Sequence, residues 1–411
     1  MLIIHTADIH IGVENYSKPD PKSRTSSRLQ DFLRSFDELV DYSIKHKADL
    51  VMICGDVYKS RNPTQTHQRE FVKRISRMAK EGIQVFLLAG NHDSPNIPGP
   101  ATTLEIFPTL DIENVHVANE LKSETIQTRS GLIQIISLPW IRKGDFMSHP
   151  DYNQLSNEKF NKAIEKKLIC DLDEQIADLD PAIPSILASH VSVDLAKTSS
   201  EKSMTLGKDY LLPTKFLANS KLDYIALGHI HKHQILNEDP PVVYSGSLER
   251  IDFGEEKDSK GFCIINISTD PNRERKLESH RFIEVNARRF KTVSVVVDDS
   301  DEFPTEKIVT EIKNHDVKDA IVQIIIEVSA SKYRDISDKI IRESLSEANF
   351  VAAIRKNVPV ESKNRLGREL HESVPPMEAL KTYLNERNLS EEKLHKLLEK
   401  GQNLMSEIPP Q

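Results

Sequence analysis

Seven side chains able to ligate a metal ion stand at the ends of short apolar runs: Asp8, His10, Asp56, Asn91, His190, His229 and His231. The runs are LIIHTADIH, LVMICGDVY, VFLLAGNHD, SILASHV and DYIALGHIH. Each reads as a strand that ends in a loop. Five such loops converging on one sheet edge can hold two divalent cations. Two cations about 3.5–4 Å apart clamp the attacking and leaving oxygens of a displacement at phosphorus. A shared carboxylate can bridge them, and Asp56 in the tight Cys54-Gly55-Asp56 turn suits that role. Carboxylate and amide oxygens mixed with imidazole favour Mn²⁺ or Fe²⁺ over an all-oxygen Mg²⁺ site or a thiolate zinc site. Cys54 belongs to the apolar run, and its thiol should point away from Asp56 because side chains alternate along a strand.

Taken singly, His10 or His190 reads as an ordinary histidine near a surface, and Asp8 as a helix cap. The ordered set is different. D-x-H, G-D, G-N-H-D, a lone His after a strand and G-H-x-H follow one another along one chain.

Asp8-Ile9-His10, Gly55-Asp56, Gly90-Asn91-His92-Asp93, His190 and Gly228-His229-Ile230-His231 together resemble the calcineurin-like metallophosphoesterase superfamily. YSGSLERIDFGE at Tyr244 to Glu255, the opening HTADIHIG and the SLPW at Ser137 to Trp140 are similar to SbcD-type DNA double-strand-break-repair nucleases. The resemblance covers roughly residues 1–285 well and the rest in general layout. It implies one metal held by Asp8, His10, Asp56 and His231, and a second by Asp56, Asn91, His190 and His229. It implies His92 as the group that hydrogen-bonds or protonates the leaving oxygen, with Asp93 either orienting His92 or capping the next turn. Many archaeal relatives carry a histidine three residues after the bridging aspartate. Lys59 stands there in this chain, and a lysine offers a flexible point charge without an imidazole's acid–base range.

The implied activity is Mn²⁺-dependent cleavage of DNA, 3′-5′ from duplex ends and internally on single strands, with Fe²⁺ or Mg²⁺ as substitutes. The implied partner is an SbcC-type ABC ATPase with a coiled coil, bound to a homodimer of this chain as a heterotetramer. An alternative is a stand-alone dinuclear phosphatase or phosphodiesterase acting on a small phosphoester.

These residues need a framework, and 411 residues are enough for two or three domains. The first part alternates strand-like and helical patterns, as a layered α/β domain does. Leu29, Phe32, Leu33, Phe36, Leu39 and Val40 recur at amphipathic spacing. TIQTRSGLIQIISL alternates around Ser130-Gly131 as a β-hairpin. Both halves of the pattern carry strands. The expected fold is therefore α/β in layers: a two-sheet β-sandwich flanked by helices over residues 1–285. A smaller β-α-β-α unit follows at 286–360, read either as a folded appendage or as a cap over the metal edge. Residues 361–411 read as a polar linker and a helical tail. There, Met377, Leu380 and Leu384, and then Leu394, Leu397, Leu398, Leu404 and Met405, form apolar stripes. The stripes must dock on their own chain or on a partner, and the resemblance favours the ATPase partner. No G-x-x-x-x-G-K-[ST] motif is present, so any ATPase activity must come from another chain. Phe71, Ile75 and Met78, with Leu104, Phe107 and Leu110, read either as core or as the homodimer face.

A composition of 38% hydrophobic and 29% charged residues suits a soluble protein. No apolar run approaches the roughly 20 residues that span a bilayer. The opening MLIIHTADIH reads as a first strand and not as a signal peptide. Three cysteines, few and odd in number, fit a reduced cytoplasmic compartment, and the resemblance implies association with the nucleoid. The net charge of −8 argues against nucleic acid, which attracts basic surfaces. Local excess points the other way. Lys18, Lys22, Arg24 and Arg28, with Arg61 after the bridging aspartate, read either as solvated surface or as contacts to the DNA backbone.

Overall fold

The computed structural model describes residues 1–20, 25–95, 100–142, 144, 146, 156–198, 211–273, 276–358, 377, 380, 381, 384 and 391–406. Strands are numbered along the chain. The first sheet has the order β14 (Leu277–Glu284), β13 (Gly261–Ile267), β1 (Leu2–Thr6), β2 (Leu50–Cys54), β3 (Gln84–Leu88) and β4 (Val115–Ala118). The second has the order β11 (Gln234–Glu238), β12 (Pro241–Tyr244), β10 (Tyr224–Gly228), β7 (Ser185–His190), β6 (Gly131–Leu138) and β5 (Lys122–Thr128). In each sheet the central strands run parallel; antiparallel pairing closes one flank of the first sheet, through β13 and β14, and both flanks of the second, through β5 and β11. β8 (Ser192–Val193) and β9 (Leu211–Leu212) form a separate short pair.

Strand periodicity builds the layers. Ile3, Leu50, Met52, Phe86 and Leu88 of the first sheet join Ile133, Ile135, Ile186, Ala188, Tyr224 and Val243 of the second in one apolar cluster. The alternate residues Ile4, Val51, Ile53, Val85 and Leu87 face the other way and pack with helices α1 (Ser27–Lys45) and α2 (Gln65–Lys80). Strands buried on both faces read as continuous apolar runs, which is why LVMIC and VFLL carry no alternation. The helix Asn157–Ala177 covers the outer face of the second sheet through Phe160, Ile164, Leu168 and Leu172. α1 is capped by Ser26, whose hydroxyl accepts from the Leu29 amide at 3.1 Å. Such a cap satisfies one of the amides left free in a first turn. The sandwich flanked by helices is thus the expected layered α/β fold.

Phe71, Ile75, Met78, Leu104 and Phe107 are all buried in the cluster beneath α1 and α2. They are core and cannot also be an exposed dimer face. Ile106 and Leu110 are the exposed apolar side chains of that stretch.

Beyond Ala287 come β15 (Phe290–Val297), the helix Pro304–Lys313, β16 (Ile321–Val328), the helix Asp338–Ser344 and β17 (Phe350–Asn357). The strand order there is β15-β16-β17. The helix Glu391–Ser406 follows, and Met377, Leu380, Lys381 and Leu384 are also helical. Gly401 lies against Leu380, so the two tail segments touch. The chain divides into two compact units. One is Met1–Val293 with Ile308–Ile324 and Asp338–Ile354; the other is Ser294–Lys307 with Ile325–Ser337 and Arg355–Gln411. Among the described residues, no helix is long and apolar enough to cross a membrane.

Candidate metal centre

The parallel strands deliver their C-terminal ends to one edge of the sandwich. Asp8 and His10 follow β1, Asp56 follows β2, Asn91 and His92 follow β3, His190 ends β7, and His229 and His231 follow β10. The carboxyl ends of parallel strands are the usual place for a site in an open α/β sheet. The two sheets meet closely here. A Cβ at Gly90 would collide with the Asp56 carboxylate, and one at Gly55 would collide with the His190 ring. The G-D and G-N-H-D motifs therefore need glycine for space as well as for a turn.

Two donor groups result: Asp8, His10 and His231, and Asp56, His190 and His229, each with ligand atoms within 4.8 Å of one another. His10 and His231 point their Nε2 atoms at each other 3.0 Å apart. Asn91 Oδ1 lies 3.0 Å from His190 Nε2 and 3.2 Å from His229 Nδ1. Asp56 Oδ2 lies 3.4 Å from His190 Nε2 and 3.8 Å from His10 Nε2, between the two groups. Converging lone pairs on buried imidazoles and carboxylates, with no thiolate among them, fit two divalent cations of borderline hardness. Asp8, His10, Asp56 and His229 all have positive φ, at 53°, 49°, 53° and 100°. Each such residue costs about 1–3 kcal/mol, a strain that persists only where the surroundings impose it.

Outer partners fix the rings. His190 Nδ1 donates to the Cys54 carbonyl at 2.8 Å, which turns Nε2 inward. His231 Nδ1 donates to Glu255 Oε1 at 2.7 Å, and Glu255 Oε2 is paired with the buried Lys260 at 2.7 Å. The His229 amide donates to the Asp8 carboxylate at 3.0 Å. Burial disfavours the charge on Asp56, but the facing His190 holds its carboxyl well below the usual range. Burial also opposes the charge on His190, yet Asp56 and Asp8 raise that imidazole to about 9. His10 is pushed well down by burial and by His231.

His92 stands at the rim, partly exposed, with Nε2 4.0 Å from Asp56 Oδ2. Its Nδ1 donates to the Lys59 carbonyl at 2.7 Å. Lys59 thus touches the site through its backbone. Asp93 does not orient His92. It accepts the amides of Gly90, Val57 and Tyr58 at 3.1–3.3 Å, tying the two loops together. Burial, then the neighbouring Asp56, pushes its carboxyl up to about 7.

The basic residues fare differently. Arg28 is fully buried, paired with Asp31 at 3.0 Å, donating to the Arg250 carbonyl and lying over the Phe32 and Phe290 rings. It cannot reach a phosphate, and the expectation of a DNA contact there is corrected. The guanidinium serves as a core polar strut. Lys18 is exposed and its Nζ donates to the Asn349 carbonyl at 3.0 Å. Arg61 is exposed with its Nε donating to the Ser94 carbonyl. Lys22 and Arg24 lie outside the described residues.

Three neighbours of the centre had no role from sequence: Trp140, Glu255 and Lys260. The Trp140 ring lies 5.0 Å from that of His229. The motifs SLPW and YSGSLERIDFGE contain Trp140 and Glu255, but nothing in their spacing shows that they reach His229 and His231.

A family model described as calcineurin-like phosphoesterase matches residues 1–233. The SbcD subunit of the nuclease SbcCD of Staphylococcus epidermidis is 24% identical over 322 residues, covering 77% of this chain and 77% of that protein. Its namesake from Escherichia coli K12 is 26% identical over 288 residues, covering 68% and 67%. A solved dimetal phosphatase from Danio rerio overlays with a TM-score of 0.38 at 10% identity, covering 64% of this chain and 92% of that one. The matched segment begins with β1 and ends two residues past His231, so it takes in every donor of the centre, and the chain belongs to the calcineurin-like phosphoesterase family.

Proposed function

We propose that this protein is a DNA nuclease, the nuclease component of a complex with an SbcC-type ATPase that processes DNA ends in the cytoplasm. The observation that carries the reading is Asp56 Oδ2 lying between the two donor groups. Asp8, His10, Asp56 and His231 would hold one cation, and Asp56, Asn91, His190 and His229 the other, both Mn²⁺. Bound cations of this kind polarise a phosphoryl oxygen and lower the pKa of water. The relatives named as SbcD subunits of the nuclease SbcCD support a phosphodiester of DNA as the substrate.

The chain's own residues do the rest. Asp56 balances both sites with one charge. His190 and His231, each fixed at Nδ1, present Nε2 in a set direction. His92 keeps Nε2 free at the rim because Nδ1 is committed to the Lys59 carbonyl. When the ring is protonated, that nitrogen carries an N–H that can pass its proton to, or hydrogen-bond, the departing oxygen of the cleaved strand, leaving the neutral ring with its proton on Nδ1. Lys18 and Arg61 are the exposed cations we assign to the DNA backbone, contacts that position without reading sequence. Residues 286–360 would act as a cap that admits substrate, and 361–411 as the linker and tail that bind the ATPase. The active assembly would be a homodimer joined to two ATPase chains.

The test compares linear and plasmid DNA with bis-p-nitrophenyl phosphate, each with Mn²⁺. Cleavage of both is expected. Turnover of the small ester alone would replace this reading with a small-molecule phosphodiesterase.

A further inference from the structure

A cavity of about 470 Å³ opens beside the metal edge. Its volume falls within the range of small-molecule pockets. Trp140 forms the wall it shares with the centre. The Trp140 amide donates to the Ala89 carbonyl at 3.1 Å, which fixes the residue beside the end of β3. Its ring is tilted against His229, with centroids 5.0 Å apart, and meets His190 edge-on at 6.2 Å. The indole is half-buried, so part of it stays open. Leu121, Leu138, Leu168, Ile141 and Phe146 add to the apolar lining.

The lining charges say what the cavity does not hold. Asp171 is paired with Lys167 at 2.6 Å, and the other two carboxylates, Glu105 and Glu120, outnumber Arg142; like charges close together repel. A phosphate would be disfavoured there. A flat, neutral heterocycle is not. Its faces suit the indole and leucines, and its N–H and carbonyl edge suits carboxylates and the Asn119 amide.

We propose that this cavity is a nucleobase subsite, which takes the base next to the scissile phosphate; the proposal rests on the nuclease reading above. Base-on-indole stacking tolerates any sequence, because every base has a π-face. The base must leave its duplex stack to enter, as in enzymes that extrude a nucleotide into a pocket. The cavity thus confers a requirement for an unpaired nucleotide beside the cut.

The chain has one tryptophan, so its intrinsic fluorescence reports on Trp140 alone. The full chain is loaded with Mg²⁺ and titrated with a single-stranded oligothymidylate whose phosphorothioate backbone resists cleavage. Stacking should quench the fluorescence. The same backbone without bases should bind, by anisotropy, and leave the signal unchanged. Leu121→Trp, which fills the cavity, should raise KM for an oligonucleotide about ten-fold and spare bis-p-nitrophenyl phosphate turnover. Asn119→Ala provides a second variant if the larger side chain unfolds the protein, with the same split and a smaller KM change. Oligothymidylate that binds without altering the fluorescence would overturn the subsite while leaving the nuclease reading intact, as would two folded variants with unchanged KM. A chain that neither binds nor cleaves DNA would overturn both. A cyclic mononucleotide that alone quenches the indole would overturn the assignment to a DNA strand.

Discussion

Glu255 Oε1 lies 2.7 Å from Nδ1 of His231, while Nε2 of the same ring faces His10 Nε2 at 3.0 Å. A carboxylate that holds one ring nitrogen makes the other a directed, more basic ligand. Glu255→Ala should therefore weaken Mn²⁺ binding about 10–100-fold, as read by titration calorimetry. Lys260→Met leaves Glu255 without its buried counter-charge and should cost about 3–5 kcal/mol in denaturant unfolding. Unchanged Mn²⁺ affinity in Glu255→Ala would reduce that residue to a structural support for Lys260.

Asp56 and His92 should separate metal binding from chemistry. Asp56→Ala removes the oxygen between the two donor groups and should abolish both bound Mn²⁺ and cleavage. His92→Ala should keep its metal and lose about 10²–10⁴ in rate, the usual range for a general acid or base. Elemental analysis beside single-turnover cleavage is the measurement. Full metal occupancy in Asp56→Ala would rule out its shared role.

The basic residues should divide by burial. Arg28→Ala leaves the buried Asp31 without one of its partners and should destabilise the fold by about 3–5 kcal/mol, with no change in the salt dependence of DNA binding. Lys18→Gln with Arg61→Gln should leave stability alone and reduce the slope of log K against log salt by up to about 2. A steep slope kept by the double variant would mean that neither side chain meets a phosphate.

His5 gives the fold an acid-sensitive element. Its ring spans the sandwich, with Nδ1 3.2 Å from the Tyr224 hydroxyl and Nε2 3.1 Å from the Leu227 carbonyl. Burial lowers its pKa from 6.5 to about 3. The unfolded chain then takes up this proton first as pH falls. This contribution is whole above pH 6.5 and declines towards pH 3. The loss reaches about 4–5 kcal/mol at most. His5→Leu should flatten that part of a stability–pH profile measured by urea unfolding, even though its stability at neutral pH is lower. A profile parallel to the wild type between about pH 6 and 4 would assign the acid loss to other groups.

The tail should be needed for assembly and not for chemistry. Every donor of the centre precedes residue 232. A chain ending after Glu361 should keep Mn²⁺ binding and cleave single strands, yet fail to retain an SbcC-type ATPase in a pull-down. Short amphipathic helices persist in water only when packed, and Leu397 on the helix Glu391–Ser406 remains exposed for such packing. Equal recovery by the truncated chain would place the partner surface elsewhere.

The candidate donors were legible in the sequence because each sits in a short motif directly after an apolar strand. Strand periodicity, α1 and the Ser130-Gly131 hairpin were legible for the same reason: their signals lie within a few neighbouring residues. Other features depended on the tertiary structure. Arg28 reads as a surface residue of a basic loop and Phe107 as either core or dimer face, and only packing shows that both are buried. Asp93 stands next to His92 in sequence yet bonds the backbone of the β2 loop, because the chain turns its carboxylate away from that ring. Glu255 lies 24 residues from His231, and Trp140 lies 89 from His229. Trp140 and His229 meet because β6 and β10 flank β7 in one sheet, and Glu255 reaches His231 from the segment between β12 and β13, so local sequence carries the ligands and tertiary packing supplies what aims them.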